Sequence, residues 1–180
     1  WKQGSSSSQA AMSPKLFLIL ATLTFLVSAQ QQPSLGHLNK ALLNNYSFVE
    51  RSLDPTGLKI EESRGEILFN AAGFTVNIST PFKERYEVTQ ERVTILDIDL
   101  NQSRIINLED VDSIFIKALL NGIDDQSPNY QVSLTQPNIL TLRPIDNSSN
   151  IDFIFNKEIL GAIRYKDNLQ IEHSIELTEL

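Results

Sequence analysis

Leu169-Gln170-Ile171-Glu172-His173-Ser174-Ile175-Glu176-Leu177 alternates without a break: the odd positions are apolar or aromatic, the even ones polar. In an extended strand successive side chains point to opposite faces, so this stretch predicts a strand with one face on a core and the other in water. The same period of two recurs upstream. Phe74, Val76 and Ile78 alternate with Thr75, Asn77 and Ser79, and Tyr86, Val88, Val93 and Ile95 continue the pattern. At Leu96 the apolar parity slips to Leu96, Ile98 and Leu100, which predicts a bulge or a change of sheet face. Further strands are predicted at Tyr130–Leu134, Asn138–Leu142, Ile151–Phe155 and around Ile163 and Tyr165.

Two segments carry a helical period instead. Leu35, Leu38, Leu42 and Val49 form a stripe behind Ser34, a candidate N-cap, and Asp54-Pro55-Thr56-Gly57 ends that segment in a turn. Val111, Ile114, Phe115, Ala118 and Leu119 match the i, i+3, i+4, i+7, i+8 template, with Asn107 or Asp110 able to cap the start and Gly122 the end. Short strands in succession with two helices inserted predict one antiparallel α+β domain.

Met12 to Ala29 has the three-part plan of a secretory signal peptide. Lys15 is the cationic start, Leu16 to Val27 the apolar stretch, and Val27-Ser28-Ala29 the small-residue cleavage site. A membrane-spanning helix needs about 20 apolar residues, more than this run supplies. Export with cleavage after Ala29 is therefore expected, with residues 1–11 an accidental extension ahead of the translation start at Met12. Residues 30–180 then form a single domain of 151 residues, with 13 basic against 22 acidic side chains and a net charge of −9. That balance argues against nucleic acid as a partner. The chain has no cysteine, so an exported protein of this sequence is held by its core rather than by disulfides, and it lacks a cysteine that could be lipidated. A soluble protein is expected.

Catalytic and metal chemistry lack their parts. The two histidines, His37 and His173, stand alone, and neither a paired-histidine motif nor a glycine-rich phosphate loop is present. Asp97, Asp99 and Asn101 match the start of a calcium loop, but its sixth and twelfth positions are Gln102 and Leu108 rather than glycine and glutamate. No enzyme, cofactor or metal is expected. The sequons at Asn45, Asn77, Asn101 and Asn147 matter only in a eukaryotic host. The apolar surplus has two readings on periodicity alone: a solid core, or a cavity under the helices able to take an apolar ligand.

The order of segments resembles the periplasmic outer-membrane lipoprotein carrier protein family (LolA). The matching pieces are Gly65-Glu66-Ile67-Leu68-Phe69, Pro81-Phe82, Asp97-Ile98-Asp99-Leu100-Asn101-Gln102 and Leu119-Leu120-Asn121-Gly122. Behind them come Tyr130-Gln131-Val132, Leu142-Arg143-Pro144, Ile151-Asp152-Phe153 and Asp167-Asn168-Leu169-Gln170. The resemblance implies an incomplete, half-open antiparallel β-barrel with helices forming a lid over an apolar cavity. It also implies a soluble, monomeric periplasmic carrier of acylated lipoproteins, loaded by an inner-membrane ABC lipoprotein exporter and unloaded by an outer-membrane lipoprotein acceptor. The alternative on the same fold is a sensing module that binds lipid or lipoprotein without catalysis. The acyl-chain pocket is expected at Phe74, Val76, Ile78, Val88, Ile95, Leu100, Ile114, Phe115, Leu119, Phe153, Phe155 and Ile163. One departure concerns lid closure: where the family carries a Phe-Arg-Trp strand, this chain has Phe74-Thr75-Val76, and the arginine thought to hold the lid shut is replaced by Thr75.

Overall fold

The computed structural model describes residues 32–53, 56, 60–111, 114–146, 148–167 and 169–180, with only the backbone described for Ile114 and Phe115. The signal peptide expected at Met12–Ala29, the extension expected before it, and the turn expected at Asp54–Gly57, apart from Thr56, lie outside these residues. Helix α1 spans Leu35–Ala41 and α2 spans Ile114–Asn121. The strands are β1 (Tyr46–Leu53), β2 (Ile60–Asn70), β3 (Gly73–Thr80), β4 (Glu84–Thr89), β5 (Arg92–Asp97), β6 (Gln102–Asn107), β7 (Tyr130–Gln136), β8 (Ile139–Pro144), β9 (Ile151–Asn156), β10 (Ile159–Lys166) and β11 (Glu172–Glu179).

All of these strands belong to one antiparallel sheet in the order β6-β5-β4-β3-β2-β1-β11-β10-β9-β8-β7. A six-strand meander and a five-strand meander are joined by the β1–β11 pair, in which Phe48 faces Leu177 and Glu50 faces Ile175. The two edges, β6 and β7, do not pair with each other, so the sheet is large and curved but not closed. The segment between them, a 3-10 turn at Leu108–Asp110 followed by α2, carries the chain from one edge to the other.

Both helices are short, and an isolated helix of seven or eight residues is not stable in water. α1 is held by a capping box: the Ser34 hydroxyl accepts from the His37 N–H at 3.3 Å, and His37 Nδ1 accepts from the Ser34 N–H at 3.2 Å. α2 ends where Gly122 takes a positive φ of 77°, the left-handed closure that favours glycine. A two-point clasp links the helices, because Asn39 donates to the Ile123 carbonyl and accepts from the Ile123 N–H, each at 2.8 Å.

Several expectations need correction. α1 stops at Ala41 and does not run through Val49. After Asn44 and Asn45, Tyr46 to Val49 enter β1, where β2 on one side and β11 on the other satisfy the backbone. The slip at Leu96 is neither a bulge nor a change of face: β5 ends at Asp97, whose side chain accepts from the Leu100 N–H at 2.8 Å and turns the chain into β6. β6 escaped the period-two reading because, as an exposed edge, it has little apolar alternation. The last strand begins at Glu172 instead of Leu169, since Asp167 accepts from the Leu169 and Ile171 N–H groups and holds that stretch in a turn.

The core divides in two. Leu38, Ala41 and Leu42 pack with Leu140, Leu142, Ile151, Phe153, Phe155, Leu160 and Ile163 in a dense cluster between α1 and the C-terminal strands. Phe74, Val88, Val93 and Leu108 pack with Ile116, Leu119 and Leu120 of α2 over the N-terminal strands. Ile67, Phe69, Val76 and Leu119 touch both clusters.

Candidate functional site

Where the two clusters part, a cavity of about 470 Å³ runs along the inner face of the sheet. β1, β2 and β3 supply Phe48, Ile67, Phe69, Phe74, Val76 and Ile78; β4 and β5 supply Val88 and Val93; β10 and β11 supply Leu160, Ile163, Ile175 and Leu177. Ile116 and Leu119 of α2 form the roof, with Leu42 and Tyr46 beside them. Strand alternation explains most of the set, and in β10 the bulge between Leu160 and Ala162 brings Leu160 and Ile163 to the same face. The volume falls within the range of about 300–1,000 Å³ usual for small-molecule sites.

The cavity is polarised along its length. Its upper end, under α2, is apolar apart from the Tyr46 hydroxyl, which is spent on the Ala41 carbonyl at 2.8 Å. Its lower end reaches the exposed β8–β9 and β10–β11 connections through Asp146, Ser148, Ser149, Lys166 and Asp167. Between them lies a polar step. The Glu50 carboxylate accepts from Ser63 Oγ at 3.0 Å and from His173 Nδ1 at 2.7 Å. The His173 ring stacks on Tyr165 at 4.7 Å, and its Nε2 lies 3.6 Å from Asp167. Tyr86 donates to Glu84 at 2.6 Å. Burial, then the hydrogen bond to Glu84 and its charge, push the Tyr86 phenol up to about 12. Burial also raises Tyr165, helped by the charges of Glu50 and Asp167.

Six of the twelve pocket residues expected from the sequence, Phe74, Val76, Ile78, Val88, Leu119 and Ile163, line this cavity. Four do not. Phe153 and Phe155 are fully buried in the solid core beneath α1. Ile95 is half-buried at the margin of the α2 cluster, and Leu100 projects from the β5–β6 turn with 66% of its surface exposed. The side chains of Ile114 and Phe115 lie outside the described residues. Sequence reading missed Tyr46, Phe48 and Glu50, because the helix predicted through Val49 hid the alternation of β1. It also missed Ile67 and Phe69, which stand two apart in β2 and carry the same signal.

Thr75 is a correction of a different kind. Phe74 and Val76 face the cavity, so Thr75 between them points to the outer face, away from both helices. A side chain of any length at this position is on the wrong side of the sheet to latch the lid. Among the described residues, the Asn39–Ile123 clasp joins the two helices instead. The aspartates of the rejected calcium loop have turn-forming work: Asp97 caps Leu100, and Asp99 accepts from the Lys83 N–H at 2.9 Å. Among the described residues no group of three side chains is placed to hold a metal ion.

No family model and no curated protein matches the chain. Among solved structures, a LolA superfamily protein from Nitrosomonas europaea is similar over 79% of this chain and 90% of that one, at 11% identity and a TM-score of 0.45.

Proposed function

We propose that the protein is a non-enzymatic carrier that shelters the acyl chains of an amphiphile in this cavity. The observation that carries the reading is the cavity's polarity: an apolar end closed by α2 and a polar step near an open end. Alkyl chains would lie against Phe69, Phe74, Val76 and Leu119, while the head group stays near Glu50, Tyr86 and Tyr165. Burying a methylene contributes about 0.8 kcal/mol, so ten amount to roughly 8 kcal/mol before ordering costs, an affinity no tighter than about micromolar. That is strong enough to keep chains out of water and weak enough for release, as a carrier requires. A lid of two short helices joined by one clasp suits the same purpose.

The finer reading takes the cargo to be acylated lipoprotein, collected from an inner-membrane ABC exporter and handed to an outer-membrane acceptor across the periplasm. The signal-peptide pattern at Met12–Ala29 and the ordered motif resemblance support it. Release from spheroplasts tests it. Labelled lipoprotein should leave the inner membrane in a soluble one-to-one complex only when this protein is added. Binding of free lipid without release of lipoprotein would reject the lipoprotein cargo and leave a lipid-binding module.

A further inference from the structure

The two rims of the sheet differ in a way that the carrier reading does not use. Six connections reach the lower rim, β1–β2, β3–β4, β5–β6, α2–β7, β8–β9 and β10–β11, and the cavity reaches the surface beside the last two. All but α2–β7 present a large exposed apolar side chain on the connection or at the strand end beside it. Ile60 opens β2, Phe82 and Leu100 stand on their turns with 69% and 66% exposure, Ile98 flanks Leu100, and Ile145 and Leu169 follow on the last two connections. The hairpin turns of the upper rim read Ala71-Ala72, Gln90-Glu91, Pro137-Asn138 and Lys157-Glu158. Leu43, Ile159 and Leu180 are exposed there, three side chains against six on the lower rim. Scattered apolar residues on a surface need no explanation, whereas six gathered along one rim do.

The lower-rim tips are also held in place. Asp97 fixes the Leu100 N–H, Asp99 the Lys83 N–H beside Phe82, and Asp167 the Leu169 N–H, all within 2.9 Å. The Ile98 N–H donates to the Lys83 carbonyl, which ties the β3–β4 and β5–β6 turns together.

We propose that this rim is a docking surface for a lipid bilayer, with the separate apolar tips entering the interface and the cavity mouth set against the lipid. Two features favour lipid over a protein partner. The tips are isolated points on separate loops, which a fluid surface accommodates without shape matching. Two of them, Ile145 and Leu169, also stand on the connections where an apolar cavity opens, which a bilayer can supply with acyl chains. Lys83, Arg143 and Lys166 are mixed with Asp97, Asp99, Asp146 and Asp167 around the rim, so docking should not depend on anionic lipid. The proposal rests on the carrier reading only for what passes through the mouth.

The absence of cysteine makes the test direct. Single cysteines would replace Phe82, Leu100 or Leu169 on the lower rim and Gln90 or Glu158 on the upper, in the full chain, each labelled with an environment-sensitive fluorophore. On vesicles of phosphatidylcholine alone, the three lower-rim labels should brighten severalfold and shift to the blue, and the two upper-rim labels should not. Lower-rim labels that stay in water, or five labels that respond alike, would overturn the proposal; the latter would mean attachment through another segment such as Leu16–Val27. A response to native membranes but not to pure lipid would overturn it in favour of a membrane protein. Apolar dye uptake on the same samples separates the two ideas. Aqueous rim labels with normal dye uptake reject docking alone, and inserted labels without dye uptake reject the carrier reading alone.

Discussion

Asn39 is the residue on which the lid depends most visibly. Its side chain satisfies both backbone groups of Ile123, and neither bond is replaced by another group in Asn39→Ala. Two net hydrogen bonds amount to about 1–3 kcal/mol, a large share of what holds two helices this short. The variant should take up apolar dye faster and exchange the amide protons of α2 sooner, with the sheet's protection retained. Unchanged exchange in α2 would mean that side-chain packing alone sets the lid. Thr75→Arg is the complementary case. Because residue 75 faces outward, the substitution should leave dye binding within twofold of wild type. A clear fall in binding would place the new side chain under the lid and contradict the strand's alternation.

At the scale of elements, β2 depends on one missing side chain. A Cβ on Gly65 would sit 2.0 Å from the Asn77 carbonyl oxygen and 2.9 Å from the Phe48 ring, at the register shift between Arg64 and Gly65. The Asn77 carbonyl cannot yield, since it is backbone of β3. Gly65→Ala should therefore cost about 2–3 kcal/mol, read as a lower urea midpoint at unchanged slope. Elements were legible where one signal dominated. Ser34 and Gly122 marked helix ends, and the alternations at Phe74–Ile78 and Ile151–Phe155 marked strands. β1 was not, because Leu42 and Val49 fit a helical stripe and only pairing to β2 and β11 decides against it. The site was half legible for a related reason: alternation says which residues share a face, but not where a face packs solidly. Phe153 and Phe74 look alike in sequence. α1 fills the space over the first, whereas the second borders the gap between the clusters.

At the scale of the molecule, the polar step couples stability to pH. Tyr86 titrates near 12 in the folded protein against an ordinary 10, chiefly through burial, and Tyr165 shifts in the same direction. The fold thus favours the neutral phenols. Their contribution is complete below pH 10 and is lost as pH rises through about 10 to 12. The urea midpoint should fall over that window, and less so in Tyr86→Phe; a flat profile would show that these hydroxyls are freely solvated. The open sheet, the α2 roof and the graded cavity converge on a single claim, that alkyl chains lodge beneath α2. Titration of a diacylated lipopeptide into wild type and Val76→Trp tests it most directly, because the indole obstructs the cavity beneath α2 without adding charge or removing apolar contact. Wild type should bind saturably and one-to-one, and Val76→Trp should lose binding without a lowered melting temperature; equal affinity in the two proteins, or no binding by wild type, would contradict the claim.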